Sequence, residues 1–436
     1  MGVTKLNSVS SRFSAPLSLL SESPQLFRLS SRTLELICEC MAVSFLSHEI
    51  SDLCIGKPAL RALPISATVG EALLTLRHSG DTYVFVWITD RSAPEKKYCA
   101  GKLCMVDILC YLCADDNISS PAAALKNPVS DLLSGNAADL VCQIDPKSRI
   151  LDALDLILEG VHILLVPIRS RKKLQLHHSS SFCWLTPENF GRFFFNSIAV
   201  FSPIAALSVT ELGLVRSGAD VLSIRHHEPA LSALPLIRLA LADQTSVAVV
   251  TDEGNLIGEI SPSTLTGCDE SVAAAIVSLS AGDLMAYIDW CPSPPDAAVQ
   301  TLKSLLKEKG MHGMVELMEE INSPPLFPSS PLLSSSSDEE WETKRGSRRR
   351  TLSRRPGSYS ARMGRKSEEA IVCHPGSSLV AVMVQALAHR VGYLWVVDED
   401  DYGLVGIVVL LDILKVLQNQ IDKFPEHNQI DKFQAL

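Results

Sequence analysis

Apolar positions recur in a fixed order along this chain. From Leu404 the sequence runs Leu-Val-Gly-Ile-Val-Val-Leu-Leu-Asp-Ile-Leu-Lys-Val-Leu417, which predicts a buried strand from Gly406 passing into an apolar helix. One carboxylate, Asp412, stands at that junction. Just upstream, Tyr393-Leu-Trp-Val-Val397 is a second short apolar run, closed by the turn-forming segment from Asp398 to Gly403. Before it, Leu379, Val382, Met383, Ala386 and Leu387 keep a helical period that stops by Gly392. The unit is helix, strand, tight turn, strand, helix.

That unit occurs four times. The first copy has Thr68-Val-Gly-Glu-Ala-Leu73 opening a helix that ends at Gly80, then the strand Tyr83–Ile88, then Gly101-Lys-Leu-Cys-Met-Val-Asp107. The second has Ile150-Leu-Asp-Ala-Leu154, a strand Ile163–Ile168, and Cys183-Trp-Leu-Thr186-Pro-Glu-Asn189. The third has Pro229-Ala-Leu-Ser-Ala-Leu234, a strand Ser246–Val250, and Gly258-Glu-Ile-Ser261-Pro-Ser-Thr264. Equivalent helix positions Leu73, Leu154, Leu234 and Met383 lie 81, 80 and 149 residues apart. From these to Asp107, Asn189, Thr264 and Asp412 the distances are 34, 35, 30 and 29 residues. Such self-similarity describes a four-repeat protein with one insertion before the last copy.

The junction pattern, Gly-apolar-apolar-Ser/Thr-x-x-Asp downstream of a Glu-Ala-Leu helix start, resembles the CBS (cystathionine β-synthase) domain. Four copies resemble the γ regulatory subunit of AMP-activated and SNF1-type protein kinases. Met41-Ala-Val-Ser-Phe-Leu-Ser-His-Glu-Ile-Ser, Ser360-Ala-Arg-Met-Gly-Arg and Ala370-Ile-Val-Cys-His-Pro are more similar still to plant CBS-domain proteins of the CBSX type with four repeats. The resemblance implies a mixed α/β fold of four βαββα-like repeats in two tandem pairs, one with two and three with four, stacked as a flattened disc. It divides the chain into repeats at 48–117, 128–200, 205–270 and 369–418. A single copy leaves an apolar sheet face exposed, which a second copy covers.

In that family the cleft between paired copies binds adenosyl ligands such as AMP, ADP, ATP or S-adenosylmethionine. A carboxylate at the helix start accepts hydrogen bonds from both ribose hydroxyls, and a strand-end Ser or Thr with helix N-terminal amides suits a phosphate. Carried onto this chain, the resemblance places ribose contacts at Asp107 and Asp412 and weaker phosphate-side contacts at Thr186 and Ser261. No copy holds both groups: Cys104 and Val409 replace the hydroxyl, Asn189 and Thr264 the acid. The alternative for the two aspartates is a helix N-cap, worth about 1 kcal/mol each. For Thr186 and Ser261 it is a strand-end hydroxyl.

Composition narrows the rest. The 436 residues are 47% hydrophobic, enough for a sizeable core, and the formal charge of −10 disfavours general nucleic-acid binding. No uninterrupted apolar run approaches the roughly 18 residues of a membrane span. Twelve cysteines without dense framework spacing suggest a reducing compartment. Residues 1–40, with nine Ser, read as a disordered extension before Met41 or as a targeting peptide. The expected compartment is accordingly cytoplasmic or nuclear, with the plastid as the alternative. Residues 271–321 read as a helical insertion and 322–368 as a disordered Ser/Arg-rich linker. Within the linker, Thr351 and Ser353 each follow an Arg by three positions, a spacing that basic-directed kinases read. Residues 419–436 read as a polar tail.

Other constellations carry little. Cys110-Tyr-Leu-Cys113 reads as buried helical cysteines, and His177-His178 and His226-His227 as loop residues without metal-ligand spacing. No Walker loop, nucleophile elbow or zinc-protease motif is present, so no enzyme, metal or required cofactor is expected. The expectation is a non-enzymatic sensor that modulates a partner such as SNF1-related kinase subunits, a homodimer being a further arrangement. The alternative is a ligand-independent interaction scaffold.

Overall fold

The computed structural model describes residues 48–89, 97–133, 140–168, 181–291, 293–321, 366 and 369–421. Residues 1–40, the candidate phosphorylation sites Thr351 and Ser353, His177-His178 and residues 422–436 lie outside these.

A short helix α1 (Ile50–Leu53) leads into repeat one: β1 (Ala62–Pro64), α2 (Val69–Ser79), β2 (Val84–Thr89), β3 (Lys97–Leu103) and α3 (Met105–Leu112). The helix α4 (Pro121–Ala124) connects it to repeat two: β4 (Val141–Gln143), α5 (Ile150–Leu158), β5 (Ile163–Ile168), β6 (Ser181–Leu185) and α6 (Pro187–Asn196). Repeat three has β7 (Ser223–Arg225), α7 (Leu234–Ala242), β8 (Val247–Val250) and β9 (Leu256–Ile260), followed by α8 (Ser271–Ser278), α9 (Ala281–Trp290), α10 (Asp296–Glu308) and α11 (His312–Ile321). Repeat four has β10 (Val372–Cys373), α12 (Leu379–His389), β11 (Tyr393–Val397), β12 (Leu404–Val409) and α13 (Leu410–Ile421). Each repeat makes its own three-stranded sheet, with a parallel first pair and an antiparallel second pair.

The central strands read as continuous apolar runs because both their faces are buried. Alternate residues face opposite ways. Phe85 and Trp87 of repeat one meet Ile163 and Leu165 of repeat two, sheet against sheet. Ala248 and Val250 of repeat three meet Tyr393, Trp395 and Val397 of repeat four in the same manner. The intervening residues point to the helices. Val84 and Val86 join Val247 and Val249 in one core, and Leu164 and Val166 join Leu394 and Val396 in another. The four repeats therefore close a ring in which sheets join one to two and three to four, while helices join one to three and two to four. The pairing that the resemblance implies is the sheet pairing.

Close approaches fix the helix contacts. A Cβ on Gly191 of α6 would lie 3.3 Å from Leu387 of α12 and Leu410 of α13, and Arg192 donates to the Leu387 carbonyl at 2.9 Å. On the other side, the Cys113 thiol donates to the Ala273 carbonyl of α8 at 3.6 Å.

The helices between repeats three and four are of two kinds. The apolar, wholly buried α8 packs between repeats one and three. It begins late because Ser261 to Thr266 forms only a turn, broken by Gly267 at φ +89°. Ser280, before α9, bridges Pro229 much as Pro128 bridges Thr68 in repeat one, so α9 occupies the place of a linker preceding a repeat. The helices α10 and α11 are additional, and α11 lies so close to the segment before α4 that a Cβ on Gly313 would sit 2.2 Å from the Ser119 carbonyl oxygen. At the other end, α13 runs through Asn419 and Gln420 to the buried Ile421, so the start of the expected polar tail belongs to the core.

Candidate functional site

In repeats one, two and four the second helix starts at a strand end, and in repeat three a turn does; in each the first amides need partners. In repeat one, Cys104 is the N-cap of α3, and Asp107 sits three residues on, with Oδ2 accepting the Cys104 amide at 2.7 Å. Asp107 is therefore not itself the N-cap. It supplies the returning half of a capping box. In repeat two, Asn189 Oδ1 accepts the Thr186 amide at 3.0 Å. In repeat three the exchange is reciprocal: Ser261 N–H donates to Thr264 Oγ1 at 2.9 Å and Thr264 N–H to Ser261 Oγ at 3.2 Å. The local need is the same in each copy, and the identity of the residue decides what capacity is left over.

Two junctions are occupied by cations from elsewhere in the chain. Lys57, between α1 and β1, donates to Asn189 Oδ1 at 2.9 Å and to the Trp184 carbonyl at 2.8 Å. Arg216, in the segment before β7, forms a bidentate pair with Asp412, Nε to Oδ2 at 2.6 Å and its second nitrogen to Oδ1 at 2.8 Å. The Arg216 backbone exchanges two 2.9 Å hydrogen bonds with Ile407, which holds the guanidinium in register with the junction. A Cβ on Gly406 would lie 2.3 Å from the Arg216 carbonyl oxygen, so this approach requires glycine. The resemblance places a ribose contact at Asp412; the structure gives both its oxygens to Arg216. Ser261 and Thr264 are buried, and the Ser261 hydroxyl lies 2.7 Å from that of Ser263, so this copy closes on itself.

Repeat one differs. A cavity of about 350 Å³ opens beside Asp107, lined also by Tyr83, Lys102, Cys110 and Tyr111 of repeat one, His162 of repeat two and Arg238 of α7. Asp107 belongs to this cavity; Thr186, Ser261 and Asp412 do not line it, so the four sequence candidates do not converge. The volume falls within the range of small-molecule sites. Lys102 Nζ lies 4.3 Å from the Tyr83 ring centroid and 3.2 Å from His162 Nδ1. Burial lowers the Lys102 pKa, opposed by Cys104 and Asp107. Burial likewise raises that of Asp107, opposed by the Cys104 amide and by the charges of Lys102 and Arg238. His162 is held down to about 4, first by burial, then by Lys102, while a hydrogen bond to the Ala242 backbone works the other way. The imidazole is thus neutral at pH 7 and able to accept from the ammonium.

Two cations, a neutral imidazole and a half-buried carboxylate therefore share one cavity. An anion can be met at Lys102 and Arg238, and hydroxyl donors at Asp107. Sequence reasoning found Asp107 but missed Lys102, His162 and Arg238. They belong to three repeats, and only Lys102 stands near the motif.

The comparisons with known proteins follow this architecture. The CBS domain model matches residues 366–419. The chain is 42% identical over 404 residues to CBS domain-containing protein CBSX5 of Arabidopsis thaliana, spanning 88% of this chain and 99% of that protein. This chain belongs to the CBS-domain family of the CBSX type. Weaker relatives from the same organism are CBS domain-containing protein CBSX6, 25% identical over 89% of this chain and 97% of its own length, and an SNF1-related protein kinase regulatory subunit gamma-like protein, PV42b, 22% identical over 86% and 96%. Among solved structures, a Methanocaldococcus jannaschii protein described as an archaeal homologue of the AMPK γ subunit matches with TM-score 0.51 at 14% identity, covering 85% of this chain and all of that one. That match supports the four-repeat fold. Among the described residues, no helix is long and apolar enough to cross a membrane.

Proposed function

We propose that this CBS-domain chain is a non-enzymatic regulatory protein whose repeat-one cavity binds an adenine nucleotide and whose partner is a protein kinase of the SNF1-related class. The observation that carries the reading is the open cavity at Asp107, where a carboxylate able to accept ribose hydroxyls lines one wall with Lys102 and Arg238. Two cations favour the phosphates of AMP, ADP or ATP; S-adenosylmethionine brings a positively charged sulfonium, which they repel. Similarity to the gamma-like subunit supplies the partner class. Arg238 comes from repeat three, so a bound phosphate would join the two sheet-paired halves, and only differential binding between arrangements could shift a partner contact.

The occupied junctions favour a second reading in part. With Lys57 on Asn189 and Arg216 on Asp412, two of the four copies already hold an internal cation, as expected of an interaction scaffold. Thermal unfolding of residues 41–436 with AMP, ADP, ATP or S-adenosylmethionine separates the readings. A site filled at 100 times its dissociation constant gains about 2.7 kcal/mol. A shift with a nucleotide that disappears in Asp107→Ala supports sensing through repeat one. No shift with any of the four at millimolar concentration overturns it in favour of the scaffold.

A further inference from the structure

The parallel pair β7 and β8 ends in register, Arg225 opposite Val250. The chain leaves both strands at the same edge, which brings His226 and His227 beside Asp252 although the sequence separates them by about 25 positions. Each of the three side chains offers a ligand atom, and these atoms all lie within 4.8 Å of one another. His227 Nδ1 is 3.0 Å from Asp252 Oδ1, and the two imidazole centroids are 5.4 Å apart. Among the described residues, His226 Nδ1 is a buried side-chain atom with no hydrogen-bond partner. Such an orphan is costly, and it leaves the His226 ring with a nitrogen that no described group satisfies.

The backbone is fixed around the cluster. The His226 amide donates to the Val250 carbonyl at 2.9 Å, and the His226 carbonyl accepts from Gly282 of α9 at 2.8 Å. A Cβ on Gly282 would stand 3.1 Å from that carbonyl, so α9 seats closely on His226. The Asp252 turn is closed by Thr251, whose amide donates to the Asn255 carbonyl at 2.9 Å.

We propose that His226, His227 and Asp252 form a binding site for a borderline divalent cation of the zinc class. Two imidazoles and one carboxylate are the donor set such ions take, with water completing the tetrahedron. Around an ion with bonds of about 2.1 Å, tetrahedral donors stand about 3.4 Å apart, so ligand atoms within 4.8 Å of one another need close by at most about 1.4 Å. The site clamps the β7 and β8 ends together beneath α9. Sequence spacing concealed it, because the third ligand arrives through strand pairing rather than along one helix or loop.

Cobalt(II) titration of the full chain, with thiols kept reduced, tests the assignment. One equivalent should give visible d–d absorption without the thiolate-to-cobalt charge-transfer band that cysteine ligation produces, and zinc should displace it. His227→Ala and Asp252→Asn should each weaken binding by more than about 10-fold, since outer-shell partners alone reach that range. His227 and Asp252 are exposed, so both variants should match the wild type in metal-free thermal unfolding, and zinc should raise the melting temperature of the wild type alone. A thiolate spectrum, the absence of a stoichiometric site, or unchanged affinity in both variants overturns the proposal.

Discussion

Replacing His162 by glutamine should flatten the acid side of the stability curve. His162 is 6% exposed, with its Nδ1 3.2 Å from the Lys102 ammonium. A proton added to the ring would set two cations face to face in a poorly solvated place, and the folded-state pKa is accordingly lowered from 6.5 to about 4. Above pH 6.5 the ring is neutral in both the folded and unfolded chain, and the contribution is fully present. Between pH 6.5 and 4 the unfolded chain takes up the proton and the folded chain does not, so stability falls as the pH is lowered. At about 1.36 kcal/mol per pH unit the whole interval is worth about 3 kcal/mol. Asp107 in the same cavity has a raised pKa and works in the opposite direction, so the quantity to measure is the difference between wild type and His162→Gln. Glutamine keeps a donor and an acceptor but has no proton to gain in this range. Urea unfolding of both proteins at pH 7.5, 6.5, 5.5 and 4.5 should show the wild type losing about 2–3 kcal/mol more than the variant across the series. Parallel losses, within about 0.5 kcal/mol, would refute the burial argument for His162.

Three further substitutions probe the packing that sets the junctions. Gly406→Ala puts a Cβ 2.3 Å from the Arg216 carbonyl oxygen and should destabilise by about 1–3 kcal/mol or more in chemical denaturation. The Arg216–Asp412 pair is about a third exposed on each side chain, so solvent screening limits it. A double-mutant cycle with Arg216→Ala and Asp412→Ala should give a coupling of about 1 kcal/mol, and zero coupling would show that the bidentate contact is not maintained in solution. Trp395→Phe removes the indole donor 2.7 Å from the fully buried Glu259, leaving the Tyr393 hydroxyl to donate to it at 2.7 Å. That loss should cost about 1–3 kcal/mol, read as a fall in the denaturation midpoint.

The repeat was legible because a strand buried on both faces writes a continuous apolar run, and Tyr393-Leu-Trp-Val-Val397 and Ile163-Leu-Leu-Val-Pro-Ile168 are such runs. The helix of repeat one was legible at both ends. Thr68 caps the N-terminus with Glu71 returning the bond, and Gly80 takes the left-handed C-terminal conformation at φ +66°. The place where repeat three gives way to added sequence was not. Ser271–Ser278 has the composition of any buried helix, and only its packing assigns it to the repeats. The cations were hidden for a similar reason. Lys57 and Arg216 lie before the repeats whose partners they enter, 132 and 196 residues from the side chains they hold. Nothing local distinguishes them from surface charges.

Lys57 and Arg216 reach equivalent places: each comes from the segment leading into the first member of a pair and enters the junction of the second. Among the described residues, the segment leading into repeat two supplies no such cation to repeat one. It contributes Asp131 and Leu132 to the cavity wall, and the positive charge there comes from Lys102 and Arg238. The difference matters energetically. An internal cation tethered by two backbone hydrogen bonds, as Arg216 is, has a high effective concentration, and a free ligand must displace it to reach Asp412. At Asp107 no such competitor stands among the described residues. The carboxylate spends one acceptor on the Cys104 amide and retains others, and each cation opposite it stands on a different repeat. A ligand anion in that cavity would bridge Lys102 on repeat one to Arg238 on repeat three. On the proposed reading, occupancy of repeat one would be felt across the helical face joining the two pairs, whereas the junctions of repeats two and four already hold a cation of the chain itself.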